Sequence, residues 1–348
     1  MKKSNVLVLL AAIMFAFSAC TKTAEIVPKG KYDVSGVFFV NEGNFSDKNG
    51  SLSFFNRTTD EVTNQLVEAE NAATKLGGIV QSVKIYNEKI YAIMQNDDKI
   101  TVLDANTLKI VTTITGIVNP YDIAFSGSKA YVTAWGAFSP TFSTPDASVK
   151  VIDLATNTVT KTIGYGTYLL GITEHLGKIY VADADANKVS IIETVNDTKS
   201  TNIAVSDYPA RFVADRNGKL WVICSGLSNT SGALQRINPA TNAIEKTLSN
   251  LTLQGYGYEK IATYEDKIFY IGGKSVFSVN IDNPVVPTTP TLTTTYSLYG
   301  MGVSKLNGDI FVGEATFTRG SKVGKYAKTG TFIKEYTAGV GTSTFVER

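Results

Sequence analysis

A short apolar run, opened by a turn residue or two and carrying an aromatic near its middle, recurs seven times along the chain. The copies are GVFFV (36–40), KIYAI (89–93), KAYVT (129–133), KIYVA (178–182), KLWVI (219–223), KIFYI (267–271) and DIFVG (309–313). Branched and aromatic residues in such runs favour strands. Their aromatics, Phe38, Tyr91, Tyr131, Tyr180, Trp221, Phe269 and Phe311, stand 53, 40, 49, 41, 48 and 42 residues apart. A period of roughly 40–50 residues is that of a four-stranded blade in a radial array. A second pattern follows the better copies. VLDANTLKIVTTI (102–114), VIDLATNTVTKTI (151–163) and RINPATNAIEKTL (236–248) align without a gap, and FFNRTTDEVTNQL (54–66) is a looser copy. Each predicts a strand, a turn and an alternating strand. Asp104, Asp153, Asn238 and Asn56 open the turns, where a short polar side chain bonds nearby backbone N–H groups.

One more apolar segment precedes every aromatic run except the first: VQSVKIY (80–86), YDIAFSG (121–127), LLGITEH (169–175), ARFVADR (210–216), EKIATYE (259–265) and GMGVSKL (300–306). Six inner strands thus serve seven aromatic strands, while TSTFVER (342–348) stands unpaired at the C-terminus. Ring closure resolves both ends at once, because the last strand completes the first blade and removes two exposed sheet edges. The expected fold is therefore all-β: a seven-bladed β-propeller over residues 34–348, closed by a C-terminal strand. An open eight-unit array or a pair of sandwiches leaves the matched deficit and surplus unexplained.

Composition adds a core large enough for this plan, with 43% hydrophobic residues among 348, together with 17 Tyr, 17 Phe and 29 Gly. Lys and Arg number 33 against 31 Asp and Glu, and without Lys2 and Lys3 the counts are equal. Such a chain has no global field to attract nucleic acid. Residues 1–19 stand apart from the fold: two lysines, an apolar run from Val6 to Phe17, then FSAC at 17–20. This resembles a bacterial lipoprotein signal, removed to leave an acylated Cys20; an ordinary secretory signal with an incidental cysteine is the alternative. Residues 20–33 then form a lipid-anchored tether. The second cysteine, Cys224, is expected to be a buried small hydrophobe.

The repeat resembles the YVTN/YncE family of seven-bladed propellers, whose namesake residues appear in AYVT (130–133). VNEGNF (40–45) with LGGIVQS (76–82) resembles the surface lipoprotein propellers of Bacteroidota, including the BtuG group. That resemblance implies an outer-membrane, lipid-anchored protein, at the cell surface or on the periplasmic side. It also implies capture of cobalamin or a similar chelate for a TonB-dependent receptor.

In such a fold two sets of loops open on one face around the axis. Loops from outer to next inner strand carry Tyr121, Tyr165, Tyr168, Tyr208, Tyr256, Tyr258 and Tyr299, with Arg211 beside them. Tyrosine offers flat contact area and a hydroxyl at low entropic cost. The alternative is that these rings wedge between blades. Loops from second to third strand add Asn41, Glu42, Gln95, Asn96, Asp183 and Glu314, and a long insertion at 134–148 with Trp135, Phe138 and Phe142. Gln81, at the start of an inner strand, completes the candidate ligand-binding set.

Sharper chemistry does not emerge. DADAN (183–187) starts like a calcium loop, but Lys188 replaces the required Gly and Thr194 the closing Glu, so a hairpin turn is expected and no metal. The single histidine, His175, falls on the opposite face, which argues against a hydrolase triad or a histidine-ligated rim. The expected function is capture of a small ligand, with no enzyme activity and no cofactor. A scaffold binding a protein or glycan is the alternative, and a lactonase-like activity a third reading.

Overall fold

The computed structural model describes residues 28–227, 230–255 and 258–348. Seven four-stranded antiparallel sheets are arranged as a β-propeller. The inner strands are Thr342–Glu347, Val80–Tyr86, Pro120–Ser126, Leu169–His175, Pro209–Ala214, Ile261–Tyr264 and Leu298–Val303, for the first to seventh blades in turn. Each aromatic run forms the second strand of its blade, from Gly36–Asn41 in the first to Ile310–Glu314 in the seventh. The expected turn chemistry is present. Asp104 Oδ1 accepts the N–H groups of Asn106 and Thr107, both at 2.9 Å, and Asp153 and Asn56 act alike.

Burial explains why the second strands read as unbroken apolar runs while the outer ones alternate. Second strands are covered on both faces by neighbouring blades; Leu220–Cys224 and Ile310–Glu314 are buried throughout. Outer strands such as Thr158–Gly164 alternate between exposed and half-buried positions, because one face meets solvent. The repeated aromatics are the wedges between blades. Tyr131 packs with Ile172 and Ile179 of the next blade, and Trp221 with Ile268 and Tyr270.

Two outer strands depart from the pattern. In the first blade the outer strand is only Glu61–Thr63, and the helix Leu66–Glu70 follows, tucking Leu66 and Val67 into the core. In the sixth it is reduced to Leu292–Thr293, after a connector whose three prolines lack backbone donors. DADAN is a hairpin turn, with Asp183 directly opposite Lys188.

The chain closes as the sequence ends require. Thr342–Glu347 pairs antiparallel with Gly36–Asn41, from Val37 opposite Glu347 to Asn41 opposite Thr342. Phe345 meets Phe39 at 5.0 Å and Phe311 at 5.7 Å between ring centroids, so aromatics of the first and seventh blades seal the junction. Polar clasps hold the rim of that seal. Arg57 donates to both oxygens of Glu347, at 2.8 and 2.9 Å. Arg348 donates to the Tyr32 carbonyl at 2.9 Å and to Asp33 at 2.8 Å. Residues 29–33, assigned to a flexible tether from sequence, are therefore docked: Tyr32 is 2% exposed and packs edge-on against Phe54. The remainder of that segment, with Cys20 and the signal, lies outside the described residues.

Deleting 342–348 strips one edge from the first blade and one wall from the seventh. Denaturant unfolding should show a loss of several kcal/mol or no cooperative transition. Arg348→Ala, which removes a half-buried clasp, should cost only about 1 kcal/mol. A truncated chain unfolding at the full-length midpoint would contradict closure by this strand.

Candidate functional site

Inner strands of five blades, and the junction of the first, share a register shift at their start: Val80/Ser82, Pro120/Asp122, Leu169/Ile172, Pro209/Arg211, Leu298/Gly300 and Val40/Asn41. A bulge re-aims the side chain that follows it. Ser82, Asp122 and Arg211, each just past a bulge, line an axial cavity of ≈ 300 Å³ together with Lys84, Glu259, Lys260 and Thr344.

Asp122 is the hub of this channel. It accepts from Ser82 Oγ at 2.8 Å, from the Ile123 and Ile172 N–H groups at 2.9 and 3.2 Å, and from Arg211 at 3.2 Å. Lys84 Nζ lies 3.2 Å away. Burial alone would raise its carboxyl pKa, but Lys84, Arg211 and these donors hold it below the ordinary value. Arg211 also donates to the Tyr121 hydroxyl at 3.2 Å, and burial pushes that phenol up to about 12. Lys260 is 7% exposed. Its closest carboxylate oxygen, Glu42 Oε1, is 4.0 Å away, and burial brings its pKa down to about 8 despite that neighbour.

Above the channel the rim tyrosines form two groups. Tyr121, Trp135, Tyr168 and Tyr208 stack in a row, with centroids 4.9, 4.5 and 6.3 Å apart and rings within 26–29° of parallel. The row packs with Ala182, Ala184 and Ala210, with Tyr121 buried and Trp135, Tyr168 and Tyr208 partly buried. The Trp135 indole N–H is fixed by the Leu169 carbonyl at 2.6 Å. Across the mouth lies a cavity of ≈ 520 Å³ lined by Glu42, Gly43, Asn44, Phe45, Ile79, Gln81, Gln95, Tyr258, Tyr299 and Phe317. Tyr299 donates to Glu42 Oε2 at 2.5 Å and meets Phe317 edge-on at 5.0 Å. Two polar atoms of this wall, Glu42 Oε1 and Gln95 Nε2, are buried with no hydrogen-bond partner among the described residues.

Of the residues singled out from sequence, Glu42, Gln81, Gln95, Tyr258 and Tyr299 meet in that cavity. Tyr121, Trp135, Tyr168 and Tyr208 meet in the stack, and Arg211 joins the stack to the channel. The others stand apart. Asn41 is buried on Ser51, Ser53 and Thr342 at the closing junction. The Asn96 side-chain Oδ1 accepts the Ile79 N–H at 2.6 Å. Asp183 accepts from the Thr167 hydroxyl at 2.6 Å, with Lys188 at 3.3 Å. Glu314 is held by both terminal nitrogens of Arg319. Phe142 is 84% exposed at the tip of the long insertion. Tyr165 packs between blades beside Lys199, and Tyr256 lies outside the described residues.

Sequence reasoning missed Lys84, Asp122 and Lys260, which carry the channel charge. The available signal was a charged residue near the start or middle of an inner-strand segment, as in VQSVKIY, YDIAFSG and EKIATYE. Phe45 and Phe317 were also missed, because neither loop shows a periodicity that fixes side-chain direction.

The sequence matches the family described as Domain of unknown function (DUF5074) over residues 35–326. No curated protein matches the chain. Among solved structures, a quinonprotein alcohol dehydrogenase-like protein from Bacteroides thetaiotaomicron has a TM-score of 0.70 at 15% identity, covering 90% of this chain and 78% of that one. A functionally unknown protein from Desulfotomaculum acetoxidans gives 0.66 at 13% identity, over 90% and 98% of the two chains. Dihydro-heme d1 dehydrogenase NirN in complex with DHE gives 0.62 at 14%, over 90% and 66%. At these identities the likeness is one of fold.

Lys260 yields a pH signature. Its native pKa of about 8 lies below the ordinary 10.5, so between those values the unfolded chain holds a proton that the native chain has lost. Stability from this group therefore rises with pH through that window, and the cost of the buried ammonium is carried in full below pH 8. Unfolding of wild type and Lys260→Met from pH 7 to 10.5 should diverge by on the order of 3 kcal/mol, with only the wild type gaining from this source. Parallel pH profiles would show that Lys260 titrates as an ordinary lysine.

Proposed function

The chain belongs to the DUF5074 family, a domain of unknown function, and we propose from its own geometry that it is a binding propeller capturing a small ligand in the aromatic cavity at its mouth. The observation that carries this reading is the pair of buried polar atoms with no hydrogen-bond partner among the described residues, Glu42 Oε1 and Gln95 Nε2, in a wall that also holds Phe45, Ile79, Tyr258, Tyr299 and Phe317. Leaving such groups unsatisfied costs stability that a ligand's donors and acceptors would recover. The volume of ≈ 520 Å³ falls in the range of small-molecule sites. The ligand has an apolar ring edge for the aromatics, a donor for Glu42 and an acceptor for the Gln95 amide.

A cobamide or similar chelate, the class implied by the sequence resemblance, carries an extended ring system fringed with amides. It would lie across the open mouth with one flank in the cavity and its periphery on the tyrosine hydroxyls. In this reading the mature protein is anchored through Cys20 at the outer membrane and passes its ligand to a TonB-dependent receptor, without chemistry of its own. Support for docking of the mouth comes from apolar side chains exposed around it: Phe45, Val118, Phe138, Phe142, Leu227, Tyr258 and Phe317. The same ring favours the second reading, a scaffold that binds a protein or glycan.

Isothermal titration with cyanocobalamin and with haem tests the ligand class. One of them should bind at one site per chain, and Tyr258→Ala or Phe317→Ala should weaken it by about tenfold or more. Heat from neither, together with recovery of a protein or glycan partner by the purified domain, would replace capture with the scaffold reading.

A further inference from the structure

Three cations, Lys84, Arg211 and Lys260, line the axial channel, and two of them, Lys84 and Arg211, share a single carboxylate, Asp122. Asp122 already accepts from Ser82, Ile123, Ile172 and Arg211, with the Lys84 ammonium beside it, and has no capacity left for another cation. Lys84 is spent as well, its ammonium facing the carbonyls of Ile123 and Ile172. Arg211 commits two nitrogens, one to Asp122 and one to Tyr121, out of a guanidinium with five N–H donors. Lys260 stands on the neighbouring blade and lines the same cavity, with a side chain 8% exposed. Its ammonium lies 4.0 Å from Glu42 Oε1, beyond hydrogen-bond distance, and 5.5 Å from the centroid of the Tyr299 ring. Glu259, also on the wall, is drawn towards its neutral form by burial, and its Oε1 accepts the Gly255 N–H at 2.7 Å.

We propose that the channel below the mouth is an oxyanion site, where Arg211 and Lys260 from adjacent blades together hold a carboxylate or phosphate group. The cavity of ≈ 300 Å³ admits a small anion with a few waters, or the acid group of a larger molecule entering from the mouth. An oxyanion supplies acceptors for Lys260 and for the remaining donors of Arg211, and it offsets the repulsion between the two cations. Burial first, and then the nearby Arg211, lower the pKa of Lys260, while Glu42 acts against them. Because both residues stand at the start of inner strands braced by the ring, the site is formed before any ligand arrives. It stands whether or not the aromatic cavity takes a ligand.

The test is titration of the full domain with inorganic phosphate and, separately, with acetate, at fixed ionic strength in chloride. At least one should bind saturably, and Lys260→Met and Arg211→Gln should each weaken it tenfold or more. Thr173→Val, which alters the same cavity wall without changing charge, should leave affinity within about twofold. Which anion binds more tightly separates a phosphate site from a carboxylate site. Should either cation variant fail to fold, titration of the Lys260 amine in the wild type by NMR replaces it, and the bound anion should raise its midpoint. Absence of saturable binding by both anions, affinity unaffected by Lys260→Met, or an unmoved Lys260 midpoint at saturating anion would each overturn the site.

Discussion

Hydrogen bonds between the last strand of the chain and the first close the ring, and the candidate site is assembled at that junction. Directly past the paired Asn41, the backbone N–H groups of Glu42 and Gly43 bond to the carbonyls of Gly341 and Val340, at 3.0 and 2.9 Å. This fastening sets Glu42 against Tyr299 and within 4.0 Å of Lys260. The aromatic cavity likewise takes Glu42 and Phe45 from the beginning of the chain and Tyr299 and Phe317 from near its end. An open array would keep most of the blades and lose the site. The seal is largely apolar, through Phe39, Phe55, Phe311 and Phe345, while the Arg57 and Arg348 clasps contribute register more than energy.

The blade plan was legible because each second strand meets the same physical demand. A strand covered on both faces needs an uninterrupted apolar run, and a wedge between blades needs one large ring, so GVFFV and its six relatives repeat. The ends of the chain were legible for a related reason: TSTFVER is a strand with no partner nearby. Less regular demands left less trace. The connector with Pro284, Pro287 and Pro290 shortened one outer strand, and the helix Leu66–Glu70 took residues that continued a strand pattern.

Legibility fell again at the site. That five loops bring tyrosines to one face could be read; which way each ring points could not, since loop side chains follow no period. The sequence left open whether the tyrosines bind or wedge, and the structure divides them. Tyr121, Tyr168 and Tyr208 stack with Trp135, whereas Tyr258 and Tyr299 border a cavity. The charged channel was the harder case. Lys84, Asp122 and Lys260 are charged residues scattered through three separate inner segments, and only the convergence of those strands on one axis brings them together. Burying such groups costs stability unless they are paired, and Lys260 pairs only loosely, with Glu42 Oε1 4.0 Å away.

Amide hydrogen exchange of the closing strand tests the central claim most directly, because it reads the junction in the intact protein. If Thr342–Glu347 is an integral strand whose release opens the ring, its hydrogen-bonded amides should exchange as slowly as those of Gly36–Asn41 and Ser51–Asn56, through the same global unfolding. Exchange of 342–347 within seconds, while the other two strands remain protected, would contradict the account.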